Sequence, residues 1–129
     1  MIHPTRWNDN DMYGHINNTV YYEWFDTVVN RWLIENNLLF CDDSRLIGLV
    51  VETGCQYFSP ISFPDPVTIG LRVAHVGTSS VRYEIGIFGE VDAQTSARGN
   101  FVHVYVDEET RRPVRLYDTM KEKLGELKP

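Results

Sequence analysis

The residues best suited to chemistry crowd between Arg6 and Trp24, where the chain reads RWNDNDMYGHINNTVYYEW. Asn8, Asp9, Asn10 and Asp11 are types that hydrogen-bond their own backbone and leave regular structure, and Gly14 can adopt a positive φ, so a sharp polar loop is expected. Just after it, Asn17, Asn18 and Thr19 offer helix N-cap side chains, and Tyr21, Trp24, Phe25, Val28 and Trp32 follow at helical spacing. A helix start carries unpartnered backbone N–H groups and the positive end of the helix dipole. With carboxylates on the loop upstream, such a junction suits hydrolysis of a carbonyl compound. Asp9 and Asp11 would share a side on an extended segment and diverge on a turn, where Asp9 is expected to brace loop backbone. His15 is a rival base because imidazole titrates near neutrality; its structural alternative is a loop histidine held in place, just as Asn17 and Asn18 can serve as plain N-caps.

The elements that must position this junction follow from periodicity. Met1 to Trp7, with Pro4 inside, is expected as an edge strand, since proline cannot donate to a central ladder. A helix is expected from about Asn18 to Asn36, with Glu23, Asp26, Thr27, Asn30 and Arg31 off its apolar stripe, and its aromatics packed on a sheet rather than forming a ligand box. Asn36 and Asn37 stop it, and Phe40 to Arg45 forms a loop. Beyond Leu46 the period becomes two: Val51, Thr53, Cys55 and Tyr57 alternate with Glu52, Gly54 and Gln56, predicting a strand buried on one face and closed by Ser59 and Pro60. Val67 to Val73 and Val81 to Ile87 alternate likewise about a turn at Gly77 to Ser80, a hairpin. Gly89 to Asp92 is another turn, and Gln94 to Val106 a long strand whose second half, apolar on both faces, should be the most enclosed. Leu116, Met120, Leu124 and Leu127 predict a terminal helix carrying Lys121 and Lys123. Strand, long helix, then four strands makes an α+β fold, an antiparallel sheet wrapped around one central helix. Its open edges need cover, so a homo-oligomer is expected.

At 129 residues and 43% hydrophobic, the chain is expected to form one domain spanning 1–129 with a core that needs no staples. No apolar run approaches the roughly 18 residues of a membrane span, and no export signal follows Met1, so no membrane partner is expected. Cys41 and Cys55 lack CxxC or framework spacing and are expected as reduced thiols in a cytoplasmic protein. The net charge of −6 opposes a general nucleic-acid role. His3, His75 and His103 are scattered without metal-ligand spacing, and no GxSxG elbow occurs, so neither a metal site nor a serine nucleophile is expected.

The run Asp9-Asn10-Asp11-Met12-Tyr13-Gly14-His15-Ile16-Asn17-Asn18, followed by Tyr21, resembles the DxDxxGHxNNxxY motif of hotdog-fold acyl-CoA thioesterases of the 4-hydroxybenzoyl-CoA thioesterase type. The resemblance implies a hotdog fold and hydrolysis of an acyl-CoA without metal or organic cofactor. It implies that Asp11 is the catalytic carboxylate, as general base on water or nucleophile on the thioester carbonyl, and that the backbone N–H of Asn18 polarises the carbonyl oxygen. Some members carry His or Tyr where this chain has Asn18, which leaves the backbone donor without a side-chain acid. His15 is a further catalytic candidate, and the expected substrate-binding positions are Gly14, Asn17, Tyr21, Thr78, Ser79 and Ser80, although Gly77 to Ser80 can instead be a plain hairpin turn. A groove between subunits of a homodimer or homotetramer would hold the acyl-pantetheine arm. Arg72 and Arg82, or Arg111 and Arg112, are candidates for the nucleotide phosphates. The alternatives are an acyl-acyl-carrier-protein thioesterase, an acyl-binding module without catalysis, and a dehydratase with His15 moving the proton.

Overall fold

The computed structural model describes residues 1–38, 46–90 and 94–129. The expected Phe40 to Arg45 loop, with Cys41, and the far half of the Gly89 to Asp92 turn lie outside the described residues. In chain order the elements are β1 (Ile2–His3), α1 (Asn18–Glu35), β2 (Leu46–Tyr57), β3 (Val67–Val76), β4 (Ser80–Gly89), β5 (Thr95–Asp107) and α2 (Asp118–Gly125). The strands form one five-stranded antiparallel sheet in the order β1-β3-β4-β5-β2. This is the expected α+β hotdog architecture, with α1 lying along one face of the sheet.

Cross-strand register shows which side chains face α1. The inner rows are Ile69, Ile87, Ala97 and Tyr57; then Leu71, Ile85, Gly99 and Cys55; then Val73, Tyr83, Phe101 and Thr53; then Val76, Val81, His103 and Val50. Against them α1 buries Val20, Tyr21, Trp24, Phe25, Val28, Val29 and Leu33. Each large apolar side chain so buried contributes about 1.5–3 kcal/mol. The helix packs tightly over Gly99, where a Cβ would stand 2.3 Å from the tip of the Phe25 ring. It ends where Asn37 adopts φ 56, a conformation asparagine tolerates, with its N–H on Ile34 O at 3.1 Å.

Four expectations change. The first strand is only Ile2–His3, paired with Thr68 and Val67; Pro4 ends it, and Trp7–Asp9 is a 3-10 turn. β2 begins at Leu46, pairs with β5 rather than its chain neighbour β3, and has no buried residue. It is exposed because it is an edge strand that α1 covers only in part. A bulge between Val50 and Glu52 makes Val51 the extra residue, so Val50, not Val51, shares the inner face with Thr53, Cys55 and Tyr57. The terminal helix starts at Asp118, two positions beyond Leu116, and buries Met120 and Leu124. The enclosed second half of β5 is as expected, with Phe101, Val102, His103, Tyr105 and Val106 all buried. No described helix is long and apolar enough to cross a membrane.

Candidate active site

The loop before α1 is a small closed turn. Asp11 N–H donates to His15 O at 2.8 Å, Gly14 N–H to Asp11 O at 3.1 Å, and Asn10 and Ile16 form a β-bridge. Gly14 sits at φ 79, which is why glycine closes this turn. The segment after β2 holds the turn from outside: Ile16 N–H donates to Ile61 O at 2.7 Å, Ser62 Oγ to Gly14 O at 2.8 Å, and Phe63 N–H to Asn10 Oδ1 at 3.1 Å.

The two carboxylates diverge. Asp9 is 2% exposed, and its Oδ2 accepts from Arg6 N–H at 2.8 Å while Oδ1 accepts from the Arg6 guanidinium at 2.7 and 3.0 Å. Every strong acceptor direction of Asp9 is therefore directed at Arg6, a bracing role. Asp11 is only half-buried; its Oδ1 accepts from Tyr13 N–H at 2.8 Å and from His15 N–H at 3.3 Å. Its Oδ2 has no partner among the described residues.

At the helix start, Asn17 Oδ1 accepts from Thr19 N–H and Thr19 Oγ1, both at 3.0 Å, and Val20 N–H donates to Asn17 O at 3.0 Å. Asn17 N–H is itself taken by Asp9 O at 2.8 Å, which ties the bracing carboxylate's residue to the helix. Asn18 N–H is left without an acceptor among the described residues. It points from the positive end of an 18-residue helix.

Asp11, His15 and Asn18 line one cleft of about 370 Å³ with Ile16, Tyr21, Tyr57, Phe58, Ser59 and Pro60. Tyr21 is buried, which pushes its phenol up to about 12 and keeps it neutral, and its ring meets Tyr57 edge-on at 5.0 Å. Tyr57 Oη donates to Asn18 O at 2.9 Å. The cleft thus joins three separate stretches: the loop, the first turn of α1 and the end of β2. Sequence reasoning missed Tyr57, Phe58 and Pro60, because alternation places Tyr57 on the inner face without saying which part of α1 lies opposite.

Gly14 and Asn17 shape this cleft through backbone without lining it. Thr78, Ser79 and Ser80 lie elsewhere: Tyr105 N–H donates to Ser79 O and Leu116 N–H to Thr78 O, so within one chain that turn sits against β5 and the segment before α2. Arg72 and Arg82 are on the outer face of the sheet, paired with Glu84 at 3.3 Å and Glu52 at 3.4 Å. Arg98 also pairs with Glu84, and the two arginines hold that carboxyl below its ordinary range. Arg111 and Arg112 are exposed beyond β5. Among the described residues no group of His, Cys, Asp and Glu is arranged to hold a metal ion.

Comparison with known proteins gives the family and the fold. Residues 5–124 match the thioesterase-like superfamily. The Bacillus subtilis (strain 168) protein YsmA is 25% identical over 120 residues, covering 92% of this chain and 80% of YsmA. The crystal structure of the PA5185 protein from Pseudomonas aeruginosa superposes with a TM-score of 0.91 at 46% identity, covering 98% of this chain and 89% of that one. A DHNA-CoA thioesterase from Staphylococcus aureus shares the fold, with a TM-score of 0.86 at 20% identity over 98% of this chain and 87% of its own. The chain belongs to the thioesterase-like superfamily, in its hotdog-fold form, and the reaction class that this membership supports is hydrolysis of a thioester.

Proposed function

We propose that the chain hydrolyses an acyl-CoA thioester to the free acid and CoA. One observation carries the reading: Asp11 with an open Oδ2 and Asn18 with an unclaimed N–H line the same cleft. With Asp11 as general base, its carboxylate takes a proton from water while the water oxygen bonds to the thioester carbon. Negative charge builds on the carbonyl oxygen, where Asn18 N–H and the α1 dipole receive it; removing a donor of this kind typically costs about 2.7–4 kcal/mol of barrier. The intermediate then collapses, the carbon–sulfur bond breaks, and the CoA thiolate recovers the proton. As nucleophile, Asp11 would instead attack the thioester carbon and displace the CoA thiolate, giving an acyl-aspartyl anhydride that water then opens to the free acid and the Asp11 carboxylate. Asp9 keeps the loop in shape by binding Arg6, and His15 borders the cleft as a secondary proton-handling group.

The working form in this reading is a homodimer or homotetramer. β2 is an edge strand carrying exposed Leu49, Val50, Val51 and Tyr57, with exposed Phe58 just beyond it, a strip a second copy would cover. Because Thr78, Ser79 and Ser80 lie away from the cleft of their own chain, any contact they make with the pantetheine or phosphate arm requires that second copy. Purified protein should release free thiol from at least one member of a panel of short, long and aromatic acyl-CoAs, with EDTA present. No turnover on any of them, nor on acyl-carrier-protein thioesters, would leave an acyl-binding module instead. Light scattering at micromolar concentration should give a dimer or larger, and a fully active monomer would remove the oligomeric part of the reading.

A further inference from the structure

We infer that Tyr57 is a positioning residue for this site: its hydroxyl pins the first turn of α1 to the end of β2 and so aims Asn18 N–H into the cleft. The inference rests on the thioesterase reading and adds a residue to it. Tyr57 is the last residue of β2 and Asn18 the first of α1, and Tyr57 Oη donates to Asn18 O at 2.9 Å. A phenol has one proton to donate, and here it is directed at the helix backbone. Through that bond the influence of the hydroxyl on the site runs by way of α1.

The pin acts at the very start of the helix: Asn18 and Thr19 are exposed, and the packing of this turn on the core comes from the next two residues, Val20 and Tyr21. The tight contact of Phe25 on Gly99 is about two turns further along α1. Upstream, Asn17 N–H on Asp9 O fixes one side of the turn. On the side toward the sheet edge, Tyr57 Oη holds the carbonyl of the residue whose N–H faces the cleft. Oxyanion stabilisation depends on donor placement within tenths of an ångström, so loosening this turn acts on the transition state more than on substrate binding. Tyr57 also meets Tyr21 edge-on, a contact that belongs to the ring and not to the hydroxyl.

Tyr57→Phe separates the two. It keeps the ring and its edge-on contact with Tyr21, so the fold should persist. With the acyl-CoA that wild type turns over best, kcat should fall about tenfold, what one ordinary hydrogen bond is worth, while KM stays within about twofold. Backbone amide exchange in the first turn of α1 should accelerate, with exchange at Val28 and Val29 unchanged. Wild-type turnover together with a Tyr57→Phe kcat within about twofold of it would overturn the positioning role and leave the thioesterase reading intact. A rise in KM at unchanged kcat would overturn it too, since that would place the hydroxyl on substrate. Wild type without turnover on any thioester would sink the reading and the inference together, whereas loss of turnover confined to Asp11→Asn would uphold the first and refute the second.

Discussion

Gly99→Ala should damage this protein out of proportion to one methyl group. An added Cβ would lie 2.3, 2.5 and 2.7 Å from three ring carbons of Phe25, against an ordinary carbon contact of about 3.5–4.0 Å. Either the ring or the strand must move by more than about 1 Å. Phe25 is 0% exposed and belongs to the buried core cluster that includes Tyr83, Ile85 and Val29, so the ring has little open space to move into. Overpacking of this kind costs about 1–3 kcal/mol, and the depth of the overlap puts Gly99→Ala at the upper end. Urea unfolding followed by fluorescence of the buried Trp24 would measure it as a lower midpoint at unchanged slope. Phe25→Leu alone should cost about 1–2 kcal/mol in lost packing. The double variant should cost much less than the two summed, with a coupling energy of about 1–2 kcal/mol, because the shorter side chain vacates the space that the added methyl group needs. Since Phe25 sets how closely α1 lies on the sheet, Gly99→Ala should also lower kcat, and the double variant should recover part of it. A Gly99→Ala cost below about 0.5 kcal/mol, or additivity within about that margin, would refute the close approach.

The other expectations concern the site and the core. Asp11→Asn should lower kcat by about 10²–10⁴-fold with KM nearly unchanged, because the amide matches the carboxylate in shape but neither takes a proton nor attacks; His15→Ala should do less, and the reverse ranking with both folds intact would make His15 the base. Asp9→Asn should instead cost stability, about 1.5–3 kcal/mol, since it breaks a buried charge-assisted bond to Arg6; full stability in urea with kcat lost would move Asp9 into the chemistry. His103 is buried, which lowers its imidazole to about 4, with Asp26 opposing the shift. Its folded form therefore binds fewer protons than the unfolded form between about pH 6.5 and 4, so its contribution is complete above that window and is lost as pH falls through it, by about 3 kcal/mol. His103→Leu should flatten the stability–pH curve there relative to wild type, and an identical slope would show that His103 is not the source.

Much of the site could be read from local sequence because it is built locally. Gly14 closes the turn, Asn17 caps α1, and Asn18 starts the helix, each decided by residues within a few positions of one another. The same holds for α1 as an amphipathic helix and for the β3–β4 hairpin. The roles of Asp9 and Asp11 are less local: both fit one motif, and only the folded turn directs Asp9 at Arg6 and leaves Asp11 Oδ2 open.

Tertiary structure alone decided what depends on pairing across the chain. An alternating strand looks the same whichever neighbour it pairs with, so the sequence could not show that β2 crosses over to β5, that a bulge at Val51 shifts its inner row, or that its edge stays open. That register is what sets Tyr57 against Asn18 and brings Phe58 and Pro60 to the cleft. Arg72 and Arg82 likewise read as unassigned cations until the sheet places Glu84 and Glu52 beside them. Short-range patterning of polar, apolar and turn residues determined the elements and the polar loop before α1; which distant side chains meet at that loop was decided by strand register and by the packing of α1 on Gly99.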